Sequence, residues 1–242
     1  MRVIRHIFSF VSLIIYLPVV GCTCITVWLD RKLKFRLSFP RDVDELVKKQ
    51  EWCIAELKKS GAIPASAIIQ SYTVSPLNSD VILRSNAGKI EVKYSVNGAE
   101  KTLQCFAKFA PVMGSVWNRA IFNLQLNHIK ESFFNLHFIK EDKEIPSPVL
   151  YYSDVSILTG NLCLITEYMS DDVHYLECAF DHFPNEHLQL ALEGLAALHA
   201  RYWGKTGANM KKVMPIEDST VYLLELIVAF SWSNTTRKIL VQ

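Results

Sequence analysis

The sequence predicts a mixed α+β fold, and three observations carry that expectation. From about Ala67 to Phe109 the chain is rich in β-branched and alternating residues, the texture of half-buried strands. From Ser115 to Phe138, and again from Asn185 to Trp203, apolar residues recur every three or four positions, as on a helix with one buried face. Helices and strands do not alternate strictly, which separates the chain from a Rossmann-type parallel sheet. Composition agrees with a folded body. The 242 residues are half hydrophobic, with nine Gly and nine Pro, which excludes a disordered, collagen-like or small disulfide-stapled chain.

The first element is apolar throughout. Ile7 to Leu29 runs without a charge and, at about 1.5 Å per residue, is long enough to cross a hydrocarbon core of roughly 30 Å. It is expected to be a single membrane span, with Trp28 at the interface and a kink at Pro18. Arg31, Lys32, Lys34 and Arg36 follow it and only Arg2 and Arg5 precede it, a bias that puts the body in the cytosol. The competing reading is a cleaved signal peptide over residues 1–21, which would send the body into the secretory pathway. Cysteine usage suits the cytosol, because Cys53, Cys105, Cys163 and Cys178 are scattered with no C-x-x-C or Cys/His metal spacing. With residues 1–36 set aside, 20 bases face 23 acids, and no concentrated basic face supports nucleic-acid binding.

After the basic neck, Pro40 and Asp42 open a helix with Val43, Leu46, Val47, Ile54 and Leu57 on one face, closed by Gly61. Three strands are expected over IIQSYTV, IEVKYSV and KTLQCFAKF, the last two joined as a hairpin through Asn97-Gly98. The stretch from Ser115 to Phe138 reads as one long helix with Phe122, Leu126, Ile129, Phe133 and Leu136 in its pattern. Pro146 and Pro148 precede a short strand. A second hairpin is expected from Val155–Leu158 and Leu162–Met169 across Thr159-Gly160-Asn161. Asn185 to Trp203 is the next helix, and the apolar run Val221 to Trp232 is too short to span a bilayer, so it is expected to be a packing helix. Asn234-Thr235-Thr236 matches a glycosylation sequon that a cytosolic body would not use.

One lysine stands out chemically. Lys108 is the only charge in the apolar strand Cys105 to Phe109, and Glu131 lies on the following helix in a half-apolar stripe with Leu124, Ala120 and Phe134. A strand lysine fixed by a helix glutamate is an arrangement that holds nucleotide phosphates. The alternative is a lysine that snorkels at a sheet edge and a solvated glutamate.

Five segments in order give the chain a family likeness. They are Phe106-Ala107-Lys108-Phe109-Ala110-Pro111, Glu131-Ser132-Phe133-Phe134, Pro146-Ser147-Pro148 before Tyr151-Tyr152, Leu164-Ile165-Thr166-Glu167-Tyr168-Met169, and the helix Leu195 to Trp203. In these the chain resembles the ecdysteroid-kinase-like (CHK kinase-like) branch of the choline kinase and aminoglycoside phosphotransferase superfamily, over roughly Pro40 to Gly204. The resemblance implies a protein-kinase-like N-lobe, an antiparallel sheet plus helix, followed by the first helices of a C-lobe. It implies ATP as cofactor, with Lys108 on the phosphates, Glu131 as its partner and backbone groups of Glu167, Tyr168 and Met169 holding adenine. It also implies ATP-dependent phosphorylation of a hydroxyl on a small molecule. The family's usual acidic pair at the hinge is replaced by Glu167-Tyr168, with acids resuming at Asp171-Asp172, and no G-x-G-x-x-G loop occurs.

Half of that chemistry has no residues here. The family's H-x-D-x-x-x-x-N loop supplies the catalytic aspartate and a magnesium ligand, and a further aspartate holds Mg. No histidine of this chain is followed two residues later by aspartate, and beyond His199 the only aspartate is Asp218. No catalytic residue is therefore assigned and no metal ligand. The chain divides into an anchor and neck over residues 1–36, a kinase-like N-lobe, hinge and first C-lobe helix over 37–204, and an atypical tail over 205–242. The expectation is a shortened or pseudo small-molecule kinase. The rivals are a membrane-anchored non-catalytic nucleotide-binding or protein-interaction module, and an unrelated α+β domain. In either of the first two cases the apolar side of the Asn185–Trp203 helix calls for a protein partner or self-association.

Overall fold

The computed structural model describes residues 2–77, 86–111, 114–124, 127–139, 147–169 and 185–202, with only the backbone described for residues 2–17, 121, 127, 138, 139, 185, 187 and 202. The helices are α1 (Arg2–Leu33), α2 (Val43–Lys48), α3 (Gln50–Lys59), α4 (Val116–Leu124), α5 (Asn127–Phe134) and α6 (Asn185–Tyr202), with a π-helical turn at Asn135–Ile139. The strands are β1 (Ile68–Pro76), β2 (Asn86–Val96), β3 (Ala99–Phe109), β4 (Leu150–Val155) and β5 (Leu162–Glu167). They form one antiparallel sheet in the order β1-β2-β3-β5-β4, so the chain is α+β as expected. The tail from residue 203 onward, with its Val221–Trp232 run, and Pro146 lie outside the described residues.

Local chemistry sets the hairpins. Asn97 and Gly98 adopt φ of 53° and 82°, the left-handed pair that a two-residue turn needs, and Val96 pairs with Ala99 across it. Asp42 caps α2 by accepting the Glu45 N–H at 2.8 Å. The single helix expected up to Gly61 is broken at Lys49, whose φ of −99° and ψ of 40° are not helical. Of the long helix expected over Ser115–Phe138, the described residues are helical over Val116–Leu124 and Asn127–Phe134, and Asn135–Ile139 form a π-helical turn. The strand expected at Val155–Leu158 is a turn. Hydrogen bonds from Ser156 N–H to Asn161 O and from Gly160 N–H to Ser156 O close the chain on itself there, so the ladder stops at Val155 and Ile157 and Leu158 point into solvent.

Strand alternation splits the sheet into two unlike faces. On one, Ile90, Val92, Cys105, Ala107, Phe109, Cys163 and Ile165 are buried beneath Val43 and Leu46 of α2 and Cys53 and Leu57 of α3. Each fully buried Leu or Phe in such a core contributes roughly 1.5–3 kcal/mol. Gly88 lies under this layer, where a Cβ would meet Val43 Cγ2 at 3.2 Å. The opposite face carries Lys89, Glu91, Gln104, Phe106 and Lys108, all half-buried, and α5 packs across its β4 and β5 side.

Helix α1 contains Pro18 and runs on to Leu33. Among the described residues no helix is long and apolar enough to cross a membrane. The last turns of α1 pack along α4, burying Val27 and Asp30. Asp30 accepts the Phe35 N–H, both of its oxygens take Arg41 Nη1 at 2.8 Å, and Asn161 Nδ2 reaches it at 3.1 Å. At the other end of the described chain, α6 leaves Leu188, Leu190, Leu192 and Leu195 exposed.

Candidate functional site

Lys108 sits near the end of β3, in the cross-strand row Ala87, Lys108, Leu164 and Ser153. Its position on the face opposite α2 and α3 follows from alternation, because its neighbours Ala107 and Phe109 are fully buried in the core. Helix α5 is fastened over the same face by the hydroxyl contact of Ser132 with Ser153 at 2.9 Å. That contact places Glu131, the preceding residue, above β3, and Lys108 Nζ donates to Glu131 Oε1 at 2.6 Å. Asn135 Nδ2 donates to the Glu131 carbonyl at 2.8 Å and braces the turn below it. The two charged side chains are 30% and 34% exposed, so the pair is assembled at an opening and not sealed in the core.

Two residues back along β3, Phe106 lies on the Lys108 face, flanked by Lys89 on β2 and Thr166 on β5. Beyond it β5 ends and the segment Glu167-Tyr168-Met169 continues alongside β3. Glu167 N–H donates to Val149 O at 2.8 Å and Tyr168 N–H donates to Gln104 O at 3.2 Å. Those two donors are occupied within the protein, whereas Met169 N–H has no acceptor among the described residues. The Lys89 ammonium stands 4.1 Å from the centroid of the Tyr168 ring, a cation–π contact that holds the tyrosine against the sheet. Gln104 Nε2 donates to Glu91 Oε2 at 3.2 Å on the same face.

The open face thus presents the Phe106 ring between Lys89 and Thr166, a backbone segment at one end and a carboxylate-held ammonium at the other. Cys105 pairs with Glu167, so three residues of strand, about 10 Å at strand rise, separate the segment from Lys108. Such a surface suits a flat ligand with an anionic tail. Of the five residues expected to bind a nucleotide, Lys108 and Glu131 meet on this face, and Glu167, Tyr168 and Met169 form the backbone segment at its edge, with Glu167 paired to Cys105 of the core face. Phe106 and Lys89 were not singled out from sequence. Alternation from Lys108 identifies Phe106, whereas Lys89 needs the strand register.

One helical turn before Glu131, His128 is 1% exposed, stacks on Phe122 at 5.5 Å, and has no hydrogen-bond partner on either ring nitrogen among the described residues. Burial, with Arg119 nearby, lowers its pKa to about 4, so the ring is neutral at pH 7. Arg119 is itself buried, and it donates to Pro111 O and Gly160 O, each at 2.8 Å. Desolvation lowers its pKa to about 10, which leaves it charged. A cavity of about 280 Å³ lined by Asp30, Arg41, Arg119 and Asn161 lies at the foot of α1, just past the Phe109 end of β3. Among the described residues no group of three His, Cys, Asp or Glu side chains is placed to hold a metal ion. No family model, curated protein or solved structure matches the chain.

Proposed function

We propose that this chain is a nucleotide-binding module built like the N-lobe of a small-molecule kinase, with ATP as its ligand. The observation that carries the reading is the 2.6 Å contact of Lys108 with Glu131 at an open sheet face. A lysine held in this way keeps its ammonium extended over the site, where it meets the α- and β-phosphates without the entropy cost of ordering a free side chain. The adenine would lie on Phe106 and take its hydrogen bonds from the Glu167-Tyr168-Met169 segment. Met169 N–H is the available donor there and the Glu167 carbonyl the acceptor at its start, while Tyr168 closes the edge. The separation of about 10 Å between that segment and Lys108 fits the reach from a base to its inner phosphates.

The family's reaction, transfer of a phosphoryl group from ATP to a small-molecule hydroxyl, asks for an aspartate base and Mg ligands. The family's loop that would supply them has no counterpart in this sequence. The reading is therefore of binding without a catalytic aspartate of this chain's own. We keep the membrane assignment beside it, with residues 7–29 anchoring a cytosolic body.

The test is equilibrium binding of ATP and adenosine to the full chain. ATP should bind more tightly than adenosine, and Lys108→Ala should bring ATP down to the adenosine level. Glu131→Gln should weaken ATP binding by roughly ten-fold, the loss of one charge-assisted contact. Unchanged ATP affinity in Lys108→Ala sinks the reading.

A further inference from the structure

We infer that the surface around the junction of α1 and α4 rests on an anionic lipid bilayer, so that the body is seated on the membrane as well as tethered to it. This deepens the membrane assignment above. The junction is built, not incidental. Arg31 donates to Gly114 O at 3.1 Å and to Ser115 O at 3.2 Å at the start of α4, while Asp30 on the same turn is held by Arg41 and Asn161. Buried Arg119 joins the β4–β5 turn to α4 through Gly160 O.

Large apolar side chains are exposed around that junction. Ile25 is 60% exposed and Trp28 51%, on the side of α1 turned away from buried Val27 and Asp30. Trp117, in the first turn of α4 beside the Arg31 contacts, is 56% exposed. Ile157 and Leu158, at the tip of the turn that Arg119 holds, are 60% and 76% exposed. Lys32, Lys34 and Arg36 follow directly and are exposed as well.

Two observations identify the occupant as lipid. The exposed face of α1 continues without a charge into the stretch that begins at Ile7, so an apolar phase at one end of the helix adjoins the patch. The bases are concentrated here, whereas residues 37–242 hold 20 bases against 23 acids. Tryptophans that lie between an apolar segment and a cluster of lysines and arginines match the interfacial zone of a bilayer, and each base near an anionic surface adds roughly five-fold to binding.

The experiment uses the full chain reconstituted with phosphatidylcholine vesicles, with and without phosphatidylserine. Alkaline carbonate extraction reads the anchor alone. Resistance supports insertion of residues 7–29, and release overturns the anchor while leaving the surface to its own readouts. Those are quenching of tryptophan emission by lipid brominated near the headgroup, and the dependence of that quenching on phosphatidylserine. Trp28→Phe and Trp117→Phe should each remove a quenched component. The triple variant Lys32→Glu, Lys34→Glu, Arg36→Glu should lose the phosphatidylserine dependence, and Leu158→Asp should reduce the quenching of Trp117. Emission from Trp28 and Trp117 that ignores brominated lipid, or a triple variant that behaves as the parent does, overturns the proposal even where the anchor holds.

Discussion

Asn123 occupies the space that a side chain at Gly160 would need. A Cβ built on Gly160 would stand 1.9 Å from Asn123 Oδ1, and Asn123 Nδ2 is held in place by its bond to Thr159 O at 3.0 Å. Gly160 also has φ of +69°, in the left-handed region that a Cβ makes costly. Gly160→Ala should therefore destabilise the protein by at least about 2 kcal/mol, from backbone strain together with loss of the Asn123 bond. Chemical denaturation measures it. Adding Asn123→Ala should return part of the loss, because the clash is then removed. An alanine variant as stable as the parent would show that α4 does not pack on the β4–β5 turn in this way.

His128 gives stability a pH dependence with a definite sign. Its folded pKa of about 4 lies below the ordinary value of 6.5, because burial and Arg119 disfavour the imidazolium. Above pH 6.5 the ring is neutral in both folded and unfolded chains and costs nothing. As pH falls from there toward 4 the unfolded chain takes up the proton first, and the native state loses up to roughly 3 kcal/mol. Unfolding curves of the parent and of His128→Phe should diverge across that window, with the phenylalanine variant less sensitive. Parallel curves would place the imidazole in water.

The sheet core makes a prediction about thiols. Cys53, Cys105 and Cys163 are fully buried and free. Desolvation pushes the Cys53 thiol up to about 11, against a smaller opposing contribution from its hydrogen bond with Tyr72, and it raises Cys105 and Cys163 further. Thiolate is the reactive form, so these three should resist alkylation at pH 8 in the native protein and react together on unfolding. Mass spectrometry of peptides after brief labelling separates them from the rest. Rapid native labelling of Cys105 would mean that α2 and α3 do not cover the sheet.

Sequence reasoning reached the elements whose signals are local. Asn97-Gly98 needs no tertiary context to make a turn, and its hairpin was legible. The pairing of Lys108 with Glu131 was legible as well, because a lone charge in an apolar strand calls for a partner on the next apolar stripe. Boundaries were harder. The break at Lys49 and the π-helical turn after Phe134 leave the apolar period intact, so periodicity alone reads through them. Ile157 and Leu158 look like strand residues by β-propensity, but backbone bonds of the turn at Ser156 and Gly160 outweigh that preference. His128 and the Asp30, Arg41 and Asn161 network escaped notice for a different reason. Their meaning comes from burial and from partners up to 131 residues apart in sequence, and no short pattern records either.

The grip on Asp30 has a mechanical consequence. A tether that ends in a loose linker transmits tension but no torque, whereas α1 ends with Asp30 bonded to Arg41 and Asn161 and with Arg31 clasped to the start of α4. The helix is thus a lever fixed at its base. A tilt imposed along its length is therefore resisted at the start of α4 and at the turn that carries Asn161.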